Sequence, residues 1–365
     1  MLSLQSQLLL RNSEHFNQGQ WAFINPSEAD VFNQLENANI VGLHQMFHQF
    51  SDCERFAQQA QFFDASFQLS NIDLSAFDGV VIYMPKSKQH LAMLIDNAAA
   101  IVKANGVVLV VGENKAGIKS VGKMLEKIGS QVNKIDSAKH CGLYAVTVGE
   151  PAPSFDIEAF KIIRTYNINE QEVQVYSLPG VFGHKQLDPG TAMLLEQFTT
   201  EKMSKVKGEF YDFACGTGVI AAYFGLAANK YKTNIKLTMS DISALAIYCS
   251  QKTMQLNKLE AAIMPCDGVV EVNKRFDVIV SNPPFHDGIK NDYQITEDFI
   301  KQSFRRSVPY ASITIVANKF LPYPDILDDV YQGFTELASS NKFKVYEAIR
   351  PKTKAWSIEL KTFEA

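Results

Sequence analysis

Along the chain, short apolar runs rich in β-branched residues alternate with stretches of helical periodicity, which predicts parallel, doubly wound α/β architecture. In the clearest unit, Phe77 to Pro85 reads as a buried strand, Leu91 to Lys103 as an apolar helix and Gly106 to Lys115 as a further strand. A helix over 115–128 and two short strands ending near Val148 complete it. Before residue 71 the sequence is polar and rich in glutamine and aromatic residues, and predicts only mixed α/β structure. Gly149 to Ser154 contains two prolines and no periodicity, the pattern of a linker. The expected organisation is a first domain over 1–150, a linker and bridging segment over 151–175, and a second domain over 176–365.

The pattern repeats. Phe77-Asp78 leading through an apolar run to Pro85 matches Phe276-Asp277 leading to Pro284. The next strands match as V-V-L-V-V-G-E-N-K ending at Lys115 against I-T-I-V-A-N-K ending at Lys319, and the terminal hairpins as 132–148 against 343–360. The chain therefore reads as two copies of one fold, with Tyr83 of the first copy at the place of Asn282 in the second and Met84 at the place of Pro283.

The second copy carries the candidate chemistry. Phe210 to Ala221 reads as a strand, a turn with Gly216 and Gly218, and the start of an Ala-rich helix. Glycines there let the backbone approach a ligand at the carboxyl end of the first strand, where open α/β sheets bind small molecules. The same G-x-G-x-x-A fits a dinucleotide site. The next strand, Ile235 to Ser240, ends in Asp241, placed to accept from ribose hydroxyls or to cap the following helix. After Ala261 to Met264, Asp267 is a candidate partner for an adenine amino group, or a turn residue.

Val278 to Val280 then stop at Ser281-Asn282-Pro283-Pro284-Phe285. The prolines end the strand and hold Asn282 extended, with its amide presented. A carboxamide oxygen and a backbone carbonyl can accept the two N–H bonds of an exocyclic amine, while an aromatic face stacks on its ring. Glycine turn, two acids and N-P-P-F all fall at carboxyl ends of successive strands, on one rim of one sheet.

Composition narrows the class. The chain has 365 residues, 46% of them hydrophobic and 20% charged, which is globular material sufficient for two domains. No apolar run reaches the ~18 residues of a membrane span, and the N-terminus lacks a secretory pattern. Five scattered cysteines without C-x-x-C spacing fit reduced thiols in a cytoplasmic protein, and neither disulfide nor metal site is expected. His44 and His48, four residues apart, read as helix-surface residues. A net charge of −4 means that nucleic-acid binding requires a local basic face.

With these residues assembled, the second half resembles the class I S-adenosylmethionine-dependent methyltransferases, and N-P-P-F resembles the subset that methylates exocyclic amines. Leu178-Pro179-Gly180-Val181-Phe182, Leu187-Asp188-Pro189-Gly190-Thr191, His286-Asp287-Gly288, Ala317 to Tyr323 and Lys342 to Tyr346 extend the resemblance to the ribosomal RNA small subunit methyltransferase C family. The resemblance implies two tandem methyltransferase-like domains with the first degenerate, and methyl transfer from S-adenosylmethionine to guanine N2 of 16S rRNA in the small subunit. It implies a monomer with an internal pseudo-dimer.

Asn282, the Pro283 carbonyl and Phe285 are then expected to hold and stack the base. Asp212, Ala214, Gly216 and Gly218 would hold the methionine part of the cofactor, Asp241 and Ile242 the ribose side and Asp267 the adenine; Asp188 and Thr191 would close over the cofactor. Lys185, Lys290, Lys319, Lys342, Lys344, Arg350, Lys352 and Lys354 are candidate phosphate contacts. Competing readings are the sister family acting on large-subunit RNA, an adenine-N6 or protein-glutamine methyltransferase, and a nicotinamide-dependent oxidoreductase.

Overall fold

The computed structural model describes residues 2–35, 39–68, 76–269, 274–284, 289–319 and 321–352. A first seven-stranded sheet contains β1 (Trp21–Ile24), β2 (Ile40–His44), β3 (Gln61–Phe63), β4 (Phe77–Tyr83), β5 (Val102–Glu113), β6 (Val132–Ala138) and β7 (Cys141–Thr147). Its order is β3-β2-β1-β4-β5-β7-β6. A separate hairpin, β8 (Ile162–Ile168) and β9 (Gln171–Ser177), follows. The second sheet contains β10 (Gly208–Phe213), β11 (Ile235–Asp241), β12 (Ala261–Pro265), β13 (Phe276–Ser281), β14 (Ser307–Asn318), β15 (Thr335–Ser339) and β16 (Phe343–Ile349), in the order β12-β11-β10-β13-β14-β16-β15.

The two orders are the same. In each sheet five parallel strands are followed by an antiparallel terminal hairpin. The central parallel strands read as near-continuous Val/Ile/Leu runs because both faces of the sheet are covered: Val80 to Ile82 and Val108 to Val111 are buried in the first sheet, Ile313, Ile315 and Val316 in the second. The longer helices are α1 (Leu4–Leu10), α2 (Phe47–Phe56), α3 (Lys88–Ile101), α4 (Pro189–Glu196), α5 (Val219–Tyr231), α6 (Ala244–Leu256), α7 (Ile289–Arg306) and α8 (Tyr323–Tyr331). Among the described residues no helix is long and apolar enough to cross a membrane.

Register confirms one alignment and corrects another. Ile24 pairs with Ile82 in the first sheet as Phe213 pairs with Ser281 in the second, so the next residues, Tyr83 and Asn282, are equivalent. Ile82 then pairs with Val110 and Ser281 with Ile315, which makes Glu113 equivalent to Asn318 and Asn114 to Lys319. The expected Lys115–Lys319 match is one residue out. A shared N-K suggests it, but a one-residue slip would exchange the faces of every side chain in the strand.

Other expectations shift for local reasons. The helix expected over 115–128 is two 3-10 turns and the short helix Gly122–Leu125, broken where Gly117 takes φ +92°. The hairpin expected over 343–360 is instead β15–β16, closed by Ser340, whose Oγ accepts from Phe343 N at 2.8 Å; residues 353–360 lie outside the described residues. The bridging segment holds the β8–β9 hairpin, whose turn residues Asn169 and Glu170 both take positive φ.

A cluster of buried side chains joins the halves: Ala65 and Met93 of the first pack with Ile157, Tyr176 and Leu178 of the bridging region and Leu245 and Cys249 of α6. At this joint, the carboxyl end of β2 meets the carboxyl end of β11. Phe47 N donates to Ile242 O at 2.8 Å and Ala244 N to Gln45 O at 2.9 Å, forming an antiparallel bridge between Met46 and Ser243.

Candidate active site

In the second sheet the strand order reverses between β10 and β13, and the crevice above their carboxyl ends is the expected ligand position of such a sheet. A cavity of about 940 Å³ opens there, at the upper end of the range for small-molecule sites. Ala214, Gly216, Asp241, Ile242, Asp267, Asn282, Pro283 and Asp188 all line it, so most of the residues expected from the sequence are brought together.

The glycine turn divides its labour. Gly216, at φ +55°, lines the cavity, and a Cβ there would meet only Phe182 O, at an ordinary contact distance of 3.8 Å. Gly218 does something else. A Cβ there would lie 3.0 Å from Met239 Cε and 3.1 Å from Ser250 Oγ, so this glycine lets α5 settle onto β11 and α6 and does not line the cavity. Ala214 lines the cavity with φ +55°, a conformation a Cβ disfavours.

Asp212 lies beneath the turn, fully buried, its Oδ2 accepting from Ala221 N at 3.2 Å in the first turn of α5. Burial holds its carboxyl well above the ordinary range, against the pull of the Ala221 amide and helped by the nearby Asp241. Oδ1 has no partner among the described residues. Asp212 thus anchors the helix and does not line the cavity.

Asp241 presents its carboxylate at the cavity wall, with Oδ2 accepting from Gly216 N (2.8 Å) and Oδ1 from Ser243 N (2.9 Å). Burial raises its pKa and these amides oppose the rise. The alternative capping role falls to Ser243, whose Oγ accepts from Ala246 N in α6. Asp267 stands exposed beyond β12.

Asn282 is held from one side. Its Nδ2 donates to Asp188 Oδ2 at 3.0 Å and Thr191 Oγ1 at 2.9 Å. An ionised carboxylate accepts only, so the amide nitrogen must face Asp188, and the function left to the carboxamide is its oxygen. Asp188 is the N-cap of α4 and its Oδ2 accepts also from Thr191 N (2.9 Å), with Pro189 at the first helical position. Asp188 and Thr191 therefore orient Asn282; Thr191 lines only a small pocket adjoining the cavity. Phe285 and His286 to Gly288 lie outside the described residues.

The first half repeats the arrangement with other end groups. Ser3 caps α1 and accepts from Ser6 N at 3.1 Å, and Ser6 Oγ pairs with the buried hydroxyl of Tyr83 at 2.8 Å. Ser3, Ser6 and Tyr83 match Asp188, Thr191 and Asn282 position for position.

Of the candidate phosphate contacts, Lys185 lines the cavity. Lys344 is paired with Glu336 at 2.7 Å, and Arg350 lies over Phe304 and donates to Ser307 O, so both serve the fold. Lys319, Lys342 and Lys352 are exposed; Lys354 and the Lys290 side chain lie outside the described residues. His44 is no helix-surface residue: it ends β2, buried, with Nε2 against Gln61 Oε1 at 2.7 Å, and burial pushes its pKa down to about 4. No group of side chains among the described residues fits a metal ion.

Sequence reasoning missed the far wall. Met46, Ser87 and Gln89 of the first half line the cavity, as does Phe182, 52% exposed. Nothing local marks the first three, because their role arises from how the halves meet.

A parallel sheet whose strand ends gather a glycine turn, two acids and an oriented Asn-Pro-Pro defines a methyltransferase of the doubly wound class. The family model "Methyltransferase small domain" matches residues 172–347, and "Methyltransferase small domain N-terminal" matches 6–166. Relatives named ribosomal RNA small subunit methyltransferase C include those of Pseudoalteromonas atlantica (42% identical, over 95% of this chain and 99% of the relative) and Alteromonas mediterranea (41%, with the same coverage). The structure of a T. thermophilus 16S rRNA N2 G1207 methyltransferase in complex with AdoMet and guanosine matches the fold with a TM-score of 0.80 at 19% identity, over 95% of this chain and 92% of that one. The chain belongs to the ribosomal RNA small subunit methyltransferase C family.

Proposed function

We propose that the chain transfers a methyl group from S-adenosylmethionine to the exocyclic N2 of a guanine in 16S rRNA. One observation carries the reading: Asn282 is fixed with both amide hydrogens turned to Asp188 and Thr191, so that a carboxamide oxygen is what it can offer to an amine. The lone pair of guanine N2 is delocalised into the ring. Holding its two N–H bonds between Asn282 Oδ1 and the Pro283 carbonyl directs it at the methyl carbon, and positioning of this kind is worth up to about 7–11 kcal/mol. The stacking on an extruded base expected of Phe285 falls outside the described residues.

The residues fit the cofactor. The absence of a side chain at Gly216, on the cavity wall, suits close approach of its methionine arm, and Asp241 and Asp267 offer acceptors to its ribose and adenine. Bound there, S-adenosylmethionine supplies a methyl group on a positively charged sulfur. Asp241 keeps lone pairs beyond those used by Gly216 and Ser243, Ile242 gives an apolar wall, and Ala214 carries the turn past the donor. Asp212 and Gly218 set the turn from below. A dinucleotide-dependent oxidoreductase would leave the Asp188–Thr191–Asn282 arrangement without a task.

We further propose that residues 1–150 form a non-catalytic domain and 176–365 the catalytic one, and that the protein acts in the cytoplasm, as a monomer, on the small subunit. The test is transfer of label from S-adenosylmethionine to small subunits, large subunits and naked 16S rRNA, followed by location of the labelled nucleoside. Label on guanine N2 of the small-subunit RNA, lost in Asn282→Ala, is the expected result. No transfer to guanine N2, or equal transfer by the variant, overturns the reading.

A further inference from the structure

The cofactor site of the second half is walled in part by the first. Met46 follows β2, at the position where Ser243 follows β11, and the two residues face each other in the antiparallel bridge that joins the halves. The bridge hydrogen bonds are made by their neighbours, Phe47 N to Ile242 O and Ala244 N to Gln45 O. In such a non-hydrogen-bonded pair the side chains lie close and on one face. That face is the cavity: Met46 and Ser243 both line it, beside Asp241, Ile242, Ala246 and Asp267.

The backbone on either side of Met46 is held firmly. Gln45 N donates to Asn25 Oδ1 (2.7 Å) and Gln45 Nε2 to Ala65 O (2.8 Å), which leaves Gln45 Oε1 to accept from Asn25 Nδ2 (3.1 Å) and His90 Nε2 (2.7 Å). His90 in turn supports the Gly180 loop, where a Cβ at φ +100° would stand 2.7 Å from its Nδ1. Four polar groups of the first half thus fix Gln45, the residue before Met46, and with it the backbone from which Met46 lines the second half's ligand cavity.

We propose that Met46 forms one wall of the adenine pocket of the cofactor site, so that the non-catalytic half completes that site. This rests on the functional reading above, which puts the adenosine beside Asp241 and Asp267. A thioether suits the edge or face of a purine, being polarisable and without a polar group to satisfy.

The full-length protein is labelled with [methyl-13C]methionine, the Met46 resonance assigned by its absence in Met46→Leu, and S-adenosylhomocysteine titrated in. The expected result is a ring-current shift of the Met46 methyl at saturation, upfield where the methyl lies over the purine face and downfield where it lies at the purine edge. Met46→Ala is expected to bind S-adenosylhomocysteine about tenfold more weakly, and Met46→Leu within about threefold of the wild type. The kinetic loss should fall in KM for the cofactor and not in KM for RNA. A Met46 methyl unmoved at saturation overturns the inference, as does unchanged affinity in Met46→Ala; if that variant does not fold, the wild-type spectrum alone decides. Wild-type protein that binds no S-adenosylhomocysteine overturns the functional reading, and this inference with it.

Discussion

Replacing Asn282 by Asp tests the orientation of the amide at the cost of one atom. The nitrogen that now donates to Asp188 Oδ2 at 3.0 Å becomes an oxygen facing a carboxylate. At an effective dielectric of about 20, two unit charges at that distance repel by about 5 kcal/mol, and the partial exposure of both groups lowers this toward about 3. Uptake of a proton sets an upper bound. A carboxyl whose ordinary pKa is about 3.9 can be protonated at pH 7 for about 4 kcal/mol. The N282D variant is therefore expected to be about 3–4 kcal/mol less stable than the wild type at pH 7.

The sign of the pH dependence follows. The folded-state pKa of the new carboxyl is raised above its unfolded value, so the folded state binds the extra proton. The penalty is full above the raised pKa and shrinks by up to about 1.4 kcal/mol per unit as pH falls toward about 4. Urea unfolding of variant and wild type at pH 5, 6, 7 and 8 reads this difference, and the wild type's own titrations cancel. The exchange D188N/N282D removes the like-charge contact and with it the pH dependence, while an amide nitrogen at the place of Asp188 Oδ2 gives up the acceptor used by Thr191 N, so part of the pH-independent penalty should remain. A penalty equal at pH 5 and pH 8, or a pH dependence that survives in the exchange, would refute the hydrogen-bond assignment.

The two turn glycines should separate by assay. Gly216→Ala should weaken S-adenosylhomocysteine binding while costing about 1 kcal/mol of stability for its left-handed backbone, whereas Gly218→Ala should show mainly as lost thermal stability through its contacts with Met239 and Ser250. His44 and His90, whose burial pushes both pKa values down to about 4, stay neutral in the fold. Their contribution is present above pH 6.5 and lost as pH falls toward 4, by up to about 1.4 kcal/mol per unit for each, and His90→Gln should remove one proton from the slope of urea stability against pH. Tyr83→Phe should cost about 1 kcal/mol by unfolding assay, from the lost Ser6 bond, and leave methyl transfer intact.

How much of this was legible in the sequence depended on range. The glycine turn, the acids ending β11 and following β12, and Asn282 are each bound to a strand end by a few residues of local pattern, and they converge in the structure as expected. Tyr83 opposite Asn282 was legible for the same reason. The Lys115 match failed because a shared dipeptide carries less register information than the alternation of faces within the sheet. Asp212 reads as a ligand residue by position in the motif, yet its side chain points inward to α5. The wall formed by Met46, Ser87 and Gln89 depends on residues more than a hundred positions from the motifs, and no local periodicity encodes how two units meet.

The parallel between Ser3–Ser6–Tyr83 and Asp188–Thr191–Asn282 gives the repeat a mechanical meaning. In both halves a helix cap accepts from the amide three positions on, and that residue's hydroxyl holds the tip of the fourth parallel strand; in the second half the cap holds it too. The held group differs, a phenol in one half and a carboxamide in the other, and the cap differs with it, a hydroxyl for Tyr83 and a carboxylate for Asn282. The holder serves the fold whether or not the held group reacts. The joint thus accepts either end group, and the same rim of the first sheet is where Met46, Ser87 and Gln89 line the second half's cavity.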